Sequence, residues 1–357
     1  MKIAIINDTH WGVRNDSSVF LEHFSKFYDD IFFPTLKARG ITNVLHLGDL
    51  VDRRKYINYA TAKVMEEVFF QKLESEDITL HLSVGNHDTY YKNTNEVNGP
   101  IQLYGHSRYL NVNIYDGGPV ELVLDGCKIM LSPWICPDNY AESMEAFRNT
   151  DAQILMGHFE IEGFEMMKGQ LCNHGLSSDI FKKFDIVYSG HFHHPSSYGN
   201  ISYLGAPYEM TWTDYGGKRG FHIFDTDTRT LEFIENPFTI FEKITYDDVE
   251  DPLTVEDIED IDATILTNKF VKVIVKNKEN PYIFDLFVEK LHASNPADLK
   301  IVEDGLILEE LGDGEEVLDE AQDTLTILKG YVDNIEFSNK KQVEDCLREL
   351  YQEAMNL

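Results

Sequence analysis

Five short apolar runs punctuate the first part of the chain, at residues 3–6, 44–47, 80–84, 154–156 and 186–188. Each is bounded by turn or helix signals, so each reads as a buried strand. Residues 17–38 place Phe20, Phe24, Phe27, Tyr28 and Ile31 at helical spacing, with Ser17 or Ser18 as the cap. Residues 59–74 form a second amphipathic candidate, with Val64, Val68 and Leu73 inward. Alternation of strand and helix patterns over the first 200 or so residues is the β-α-β signature of a largely parallel sheet. Residues 120–132 predict two strands joined at Asp125-Gly126, a strong hairpin signal. Residues 201–235 predict further strands, with turns at Gly216-Gly217 and 225–228. The expected fold is α/β, a two-sheet core flanked by helices.

A composition shift follows Pro237. Residues 247–262 are acidic and predict a surface segment. Then comes a compact β-α-β pattern: a strand at 270–275, a helix near 282–292 and a strand at 299–302. Residues 303–323 are acidic and contain Gly305, Gly312 and Gly314, as a linker would. Residues 339–355 put Val343, Leu347, Leu350, Tyr351 and Ala354 on one helical face. The expected division is therefore a main domain at 1–237, a small α+β domain at 238–305, an acidic linker at 306–330 and a helical tail at 331–357.

Charge and cysteine content narrow the setting. The formal charge is −31, and residues 241–357 alone hold 30 acidic against 11 basic side chains. That argues against tight, unaided binding to nucleic acid, whose phosphates usually meet Lys and Arg. Bound cations or a basic partner would offset it. Four scattered cysteines form no C-x-x-C pair, which fits a reducing cytoplasm better than a disulfide framework. No apolar run approaches the ~18 residues of a membrane span, and the start at a strand is unlike a secretory signal peptide.

The chemistry lies just after the five strands, in Asp8-Thr9-His10, Gly48-Asp49-Leu50-Val51-Asp52, Gly85-Asn86-His87-Asp88, Gly157-His158 and Gly190-His191-Phe192-His193. In open α/β sheets the site lies at the carboxyl ends of the strands, so these side chains are expected in one crevice. Asp8 and His10, one residue apart in extended backbone, would share a side and hold one metal. Asp49 is the natural bridging carboxylate. Asn86, His158 and His191 serve a second metal, and His193 returns to the first. Mixed O/N ligation without thiolate suits Mn²⁺, Fe or Zn. Two metals ~3.5–4 Å apart clamp a phosphate and stabilise its leaving oxygen. His87 points away from Asn86 and is the candidate general acid, with Asp88 or Asp52 to orient its ring. His46 and His81 sit inside strand runs and, with His23, His106, His222 and His292, read as structural. His194 is ambiguous, and His174 is a candidate for the cleft wall.

These strings resemble those of the calcineurin-like metallophosphoesterase superfamily. Within it the chain is similar to the nuclease subunits of double-strand-break-repair complexes, the SbcD type, including those of T-even bacteriophages. The likeness covers most of residues 1–235. It extends to 84–88, Pro133-Trp134, Met167-Lys168-Gly169 with His174-Gly175-Leu176, 189–193, and Arg219-Gly220-Phe221 ahead of Phe224-Asp225-Thr226. The resemblance implies one metal on Asp8, His10, Asp49 and His193, a second on Asp49, Asn86, His158 and His191, and His87 as the acid that also contacts the phosphate. It implies manganese as the ion and DNA as the substrate, cut 3′→5′ as an exonuclease, with endonuclease action on hairpins or single strands in addition. It further implies an SMC-like ATPase partner bound through the 339–355 helix, a DNA-capping role for the small domain, and a homodimer formed through 55–72 and 90–110. Two rivals share the residues: a phosphodiesterase or phosphatase for a small molecule or protein, and an idle scaffold that recruits the ATPase.

Overall fold

The computed structural model describes residues 1–105, 108–167 and 170–303. The expected linker and tail from 306 onward, with the 339–355 helix, lie outside the described residues, as do His106, Lys168 and Gly169. Strands β1 (Lys2–Ile6), β2 (Asn43–His46), β3 (Thr79–Ser83) and β4 (Val112–Tyr115) run parallel in that lateral order. The chain then crosses to a second sheet through β5 (Val120–Leu124), β6 (Cys127–Ser132) and β7 (Ile154–His158). After a small hairpin, β8 (Glu165–Met167) and β9 (Gln170–Leu171), that sheet is completed by β10 (Ile186–Gly190), β11 (Ser196–Tyr198) and β12 (Ile201–Tyr203). The chain returns to the first sheet with β13 (Arg219–Asp225) and β14 (Thr230–Asn236). The two six-stranded sheets are ordered β14-β13-β1-β2-β3-β4 and β11-β12-β10-β7-β6-β5.

Side-chain alternation explains the apolar runs. Ile3, Ile5, Leu45, Leu47, Ile129, Leu131, Ile154 and Met156 face inward between the sheets. Ala4, Ile6, Val44, Leu80 and Leu82 face the opposite way, under the helical segments 18–39 and 59–75. Sheets covered on both faces demand apolar residues on both faces. The first helical segment contributes Phe20, Phe24, Phe27 and Phe32, all essentially fully buried. Burying each such ring contributes about 1.5–3 kcal/mol. The segment ends at Gly40, whose φ of 63° closes the last turn. Phe24 also stacks on Tyr208 at 3.7 Å, and the Tyr208 hydroxyl donates to the Thr9 carbonyl. The aromatic core thus reaches directly into the loop after β1.

The β5–β6 hairpin turns at Asp125 and Gly126, both with positive φ, as their sequence predicts. Beyond residue 240 a separate three-stranded parallel sheet forms from β15 (Phe241–Asp247), β16 (Phe270–Asn277) and β17 (Asp298–Glu303), covered by helix Pro281–Ala293. The sequence pattern reveals this β-α-β unit but not β15. Phe241 and Phe270 pack on Phe20 of the main core. Among the described residues no helix is long and apolar enough to cross a membrane.

Candidate metal centre

The carboxyl ends of β1, β2 and β3 in one sheet and of β7 and β10 in the other meet at a common edge, and the predicted side chains converge there. Asp8, His10 and His193 bring donor atoms within 4.8 Å of one another, and so do Asp49, His158 and His191. Asn86 joins the second group: its Oδ1 lies 2.8 Å from His158 Nε2 and 3.0 Å from His191 Nδ1. One atom belongs to both groups, since Asp49 Oδ2 stands 3.2 Å from His158 Nε2 and 3.7 Å from His10 Nε2. Asp8, His10, Asp49, Asn86 and His158 are all buried.

The approach to this arrangement differs from expectation at one point. Asp8 and His10 are not extended; their φ angles are 52° and 40°. The cause is main-chain pairing. The N–H groups of Asp8, Thr9, His10 and Trp11 donate to the carbonyls of Gly48, Asp49, Asp49 and Leu50, so the loop coils along its neighbour. Asp49 is left-handed as well, at φ 56°. Non-glycine residues in this region persist only where surrounding contacts over-determine them. Asp8 is fixed by Asn7 Nδ2 at 2.6 Å and by the main-chain N–H of His191 at 3.0 Å.

The glycine before each later ligand has a steric reason. A Cβ at Gly48 would come within 2.6 Å of His158 Nδ1, and one at Gly85 would collide with the carboxylate and backbone of Asp49. A Cβ at Gly190 would lie 2.9 Å from the Leu47 carbonyl oxygen.

The donor set fits divalent cations. His10 Nε2 and His193 Nε2 face each other at 3.0 Å, and with both neutral and unprotonated there the lone pairs oppose. His158 donates from Nδ1 to the Leu47 carbonyl, which leaves Nε2 as the nitrogen that could hold a metal. A carbonyl holding the far nitrogen is the usual support of a metal-bound imidazole. Burial opposes charge on His158, yet the Asp49 and Asp8 carboxylates outweigh it and push its pKa up to about 9. Burial also opposes ionisation of Asp49, but His158, His87 and His10 hold it well below the usual carboxylate range. Burial and the neighbouring His10 push His193 well below its ordinary value.

Of the two residues expected to orient His87, Asp52 does so through its main chain: His87 Nδ1 donates to the Asp52 carbonyl at 2.6 Å. The Asp52 carboxylate lies 3.5 Å from His10 Nδ1, and His10, Asp52 and His87 share one cluster. The Asp88 carboxylate accepts from the main-chain N–H groups of Gly85 and Val51 and so braces the loop. Burial, with the nearby Asp49, raises its pKa to about 7.

Arg219 and Trp134 frame the centre without having been assigned a role there from the sequence. Arg219 donates to the His193 carbonyl and, at 2.7 Å, to buried Asp214, pinning the His193 loop from below. The sequence signal was an Arg at the opening of a strand run. His194 belongs to this cluster, 3.3 Å from Arg219. Trp134 stands 5.3 Å from the His191 ring and walls one side. His174 does reach the rim: it contacts Glu160 at 3.0 Å, and Glu160 lies 3.9 Å from His191 Nε2.

Known proteins match this layout. A family profile described as Calcineurin-like phosphoesterase covers residues 1–195. The chain is 35% identical over 361 residues to Exonuclease subunit 1 of Enterobacteria phage T4, covering 99% of each chain. It is 22% identical over 255 residues to the SbcD component of the nuclease SbcCD of Staphylococcus epidermidis, covering 65% of this chain and 67% of that one. Five strand ends that gather carboxylate, amide and imidazole donors, and a profile spanning more than half of the sequence, lead to one assignment: the chain belongs to the calcineurin-like phosphoesterase family and is a phosphoester hydrolase.

Proposed function

We propose that this chain is a metal-dependent DNA nuclease, a 3′→5′ exonuclease with endonuclease capacity, acting as one subunit of a double-strand-break repair or recombination complex. The observation that carries the reading is Asp49 Oδ2 standing between His158 Nε2 and His10 Nε2, which suits a carboxylate shared by two cations. The nuclease names of the two relatives support DNA as the substrate. Asp8, His10, Asp49 and His193 would hold one cation, and Asp49, Asn86, His158 and His191 the other, with Mn²⁺ as the proposed ion. Bound there, the pair supplies Lewis acidity to a phosphate and acidifies water at neutral pH.

The protein's own groups do the rest. The main-chain N–H of His87 donates to Asp49 Oδ1 at 2.8 Å, which turns Oδ2 toward both imidazole groups. Because His87 Nδ1 donates to the Asp52 carbonyl, Nε2 is the nitrogen that serves substrate. As imidazolium, His87 delivers the Nε2 proton to the departing alkoxide. Trp134 shields the His191 side from bulk water.

For partners, we propose an SMC-like ATPase docking on the 331–357 tail, residues 238–305 as a cap over DNA, 306–330 as the linker between, and a homodimer through 55–72 and 90–110, all in a host cytoplasm. Tyr59 at 91% exposure and Leu110 at 94% favour an interface there. A basic partner would also offset the charge of −31. The test is release of nucleotides from end-labelled linear duplex by the purified chain with Mn²⁺, Mg²⁺ or EDTA, with and without the ATPase. Manganese-dependent release, strengthened by the ATPase, is expected. Hydrolysis of a small bis-aryl phosphate with no DNA cleavage in any condition would move the substrate to a small molecule.

A further inference from the structure

His46 ends β2 on the helix-covered face of its sheet, among Ile6, Val44, Leu80 and Leu82. It is fully buried. An imidazole in such an apolar stripe costs stability unless its nitrogens are satisfied. Both are. The main-chain N–H of Gly48 points at Nδ1 from 3.3 Å, so Nδ1 is the acceptor. Nε2 therefore carries the hydrogen and donates to Thr9 Oγ1 at 3.0 Å. Thr9 in turn donates from Oγ1 to the Leu50 carbonyl at 3.2 Å. The chain of donors has one direction, and it fixes the neutral Nε2–H tautomer.

Its two ends lie on the two loops that carry Asp8, His10 and Asp49. Thr9 sits between Asp8 and His10, and Gly48 directly precedes Asp49. All three ligands have left-handed backbone, so each loop needs outside support to hold its shape. Leucine would fill the His46 site with less desolvation cost. The imidazole is thus explained by the tie rather than by packing.

We propose that His46 is a positioning residue that clamps the Asp8–His10 loop to the Asp49 loop and thereby sets the affinity of the centre for the cation that these two loops would hold together; this rests on the metal-centre reading above. Support of this kind is typically worth about 10–100-fold in metal affinity. The experiment is calorimetric titration of the full chain with Mn²⁺, for the parent, His46→Leu, Thr9→Val and the double variant, with urea unfolding of each metal-free protein. Expected are unfolding midpoints equal to or above the parent for His46→Leu, Mn²⁺ affinity at least tenfold weaker in each single variant, and no further loss in the double. Parent-like affinity in either folded single variant overturns the clamp, as do fully additive losses. If His46→Leu fails to fold, Thr9→Val decides alone. A parent that binds no divalent cation overturns the metal-centre reading itself, and the clamp with it.

Discussion

Nε2 of His10 and Nε2 of His193 face each other across 3.0 Å, although 183 residues separate them in the chain. Two neutral acceptors at that distance are unfavourable without a proton or a cation between them. A cation that binds only the folded protein stabilises it by about 2.7 kcal/mol at a hundred times its Kd. Thermal unfolding is therefore expected to shift upward with Mn²⁺ and fall back with EDTA. His193→Ala should lose most of that shift. An unchanged Mn²⁺ response in the variant would remove His193 from the ligand set.

His87→Gln keeps a side chain near the Asp52 carbonyl but cannot deliver a proton as imidazolium does. A lost general acid typically costs about 10²–10⁴-fold in rate. Single-turnover cleavage of labelled duplex should slow by at least 100-fold, on the order of that range, while the amount of Mn²⁺ bound stays at the parent value. Parent-like turnover would end the general-acid assignment.

Gly85 touches Asp49 so closely that any Cβ must displace the carboxylate or the backbone beneath it. Gly85→Ala should cost about 1–3 kcal/mol, as overpacking does. Cation affinity should fall with it, because Asp49 is the ligand proposed to be shared. Gly40 is a control of the opposite kind: its backbone is left-handed, which disfavours a side chain, but it has open space around it. Gly40→Ala should lower stability without altering Mn²⁺ binding.

Stability is also expected to fall in mild acid. Burial pushes the pKa of His222 down to about 4, and that of His23 likewise, with Lys26 and Lys269 adding to the effect. A base depressed in the folded state stays neutral there while the unfolded chain takes up a proton. Between pH 6.5 and 4 the unfolded state binds more protons, so stability present above 6.5 drains away as the pH drops. Each group contributes up to roughly 3 kcal/mol across that window. Urea unfolding between pH 7 and 4.5 should show a shallower acid loss for His222→Leu than for the parent. Identical slopes would mean that other groups govern the acid limb.

The sequence by itself determined which residues form the candidate centre and where on the fold they gather. Strands buried on both faces leave apolar runs, and ligands directly after them can only emerge at the carboxyl edge. The glycines before Asp49, Asn86, His158 and His191 were visible too, and the structure explains them by close approach. Only the tertiary structure decided how the ligands point. Asp8 and His10 look extended in isolation; they are left-handed because their N–H groups find carbonyls on the β2 loop, some 40 residues away. The same holds for His46, which reads as a strand residue until Thr9 is seen beside it, and for Arg219, whose hold on the His193 carbonyl is set by the return of β13 to the first sheet. Local patterning fixes which face a side chain takes, whereas hydrogen bonds at a strand end are made with whichever neighbour the topology supplies, and that neighbour is not written nearby in the chain.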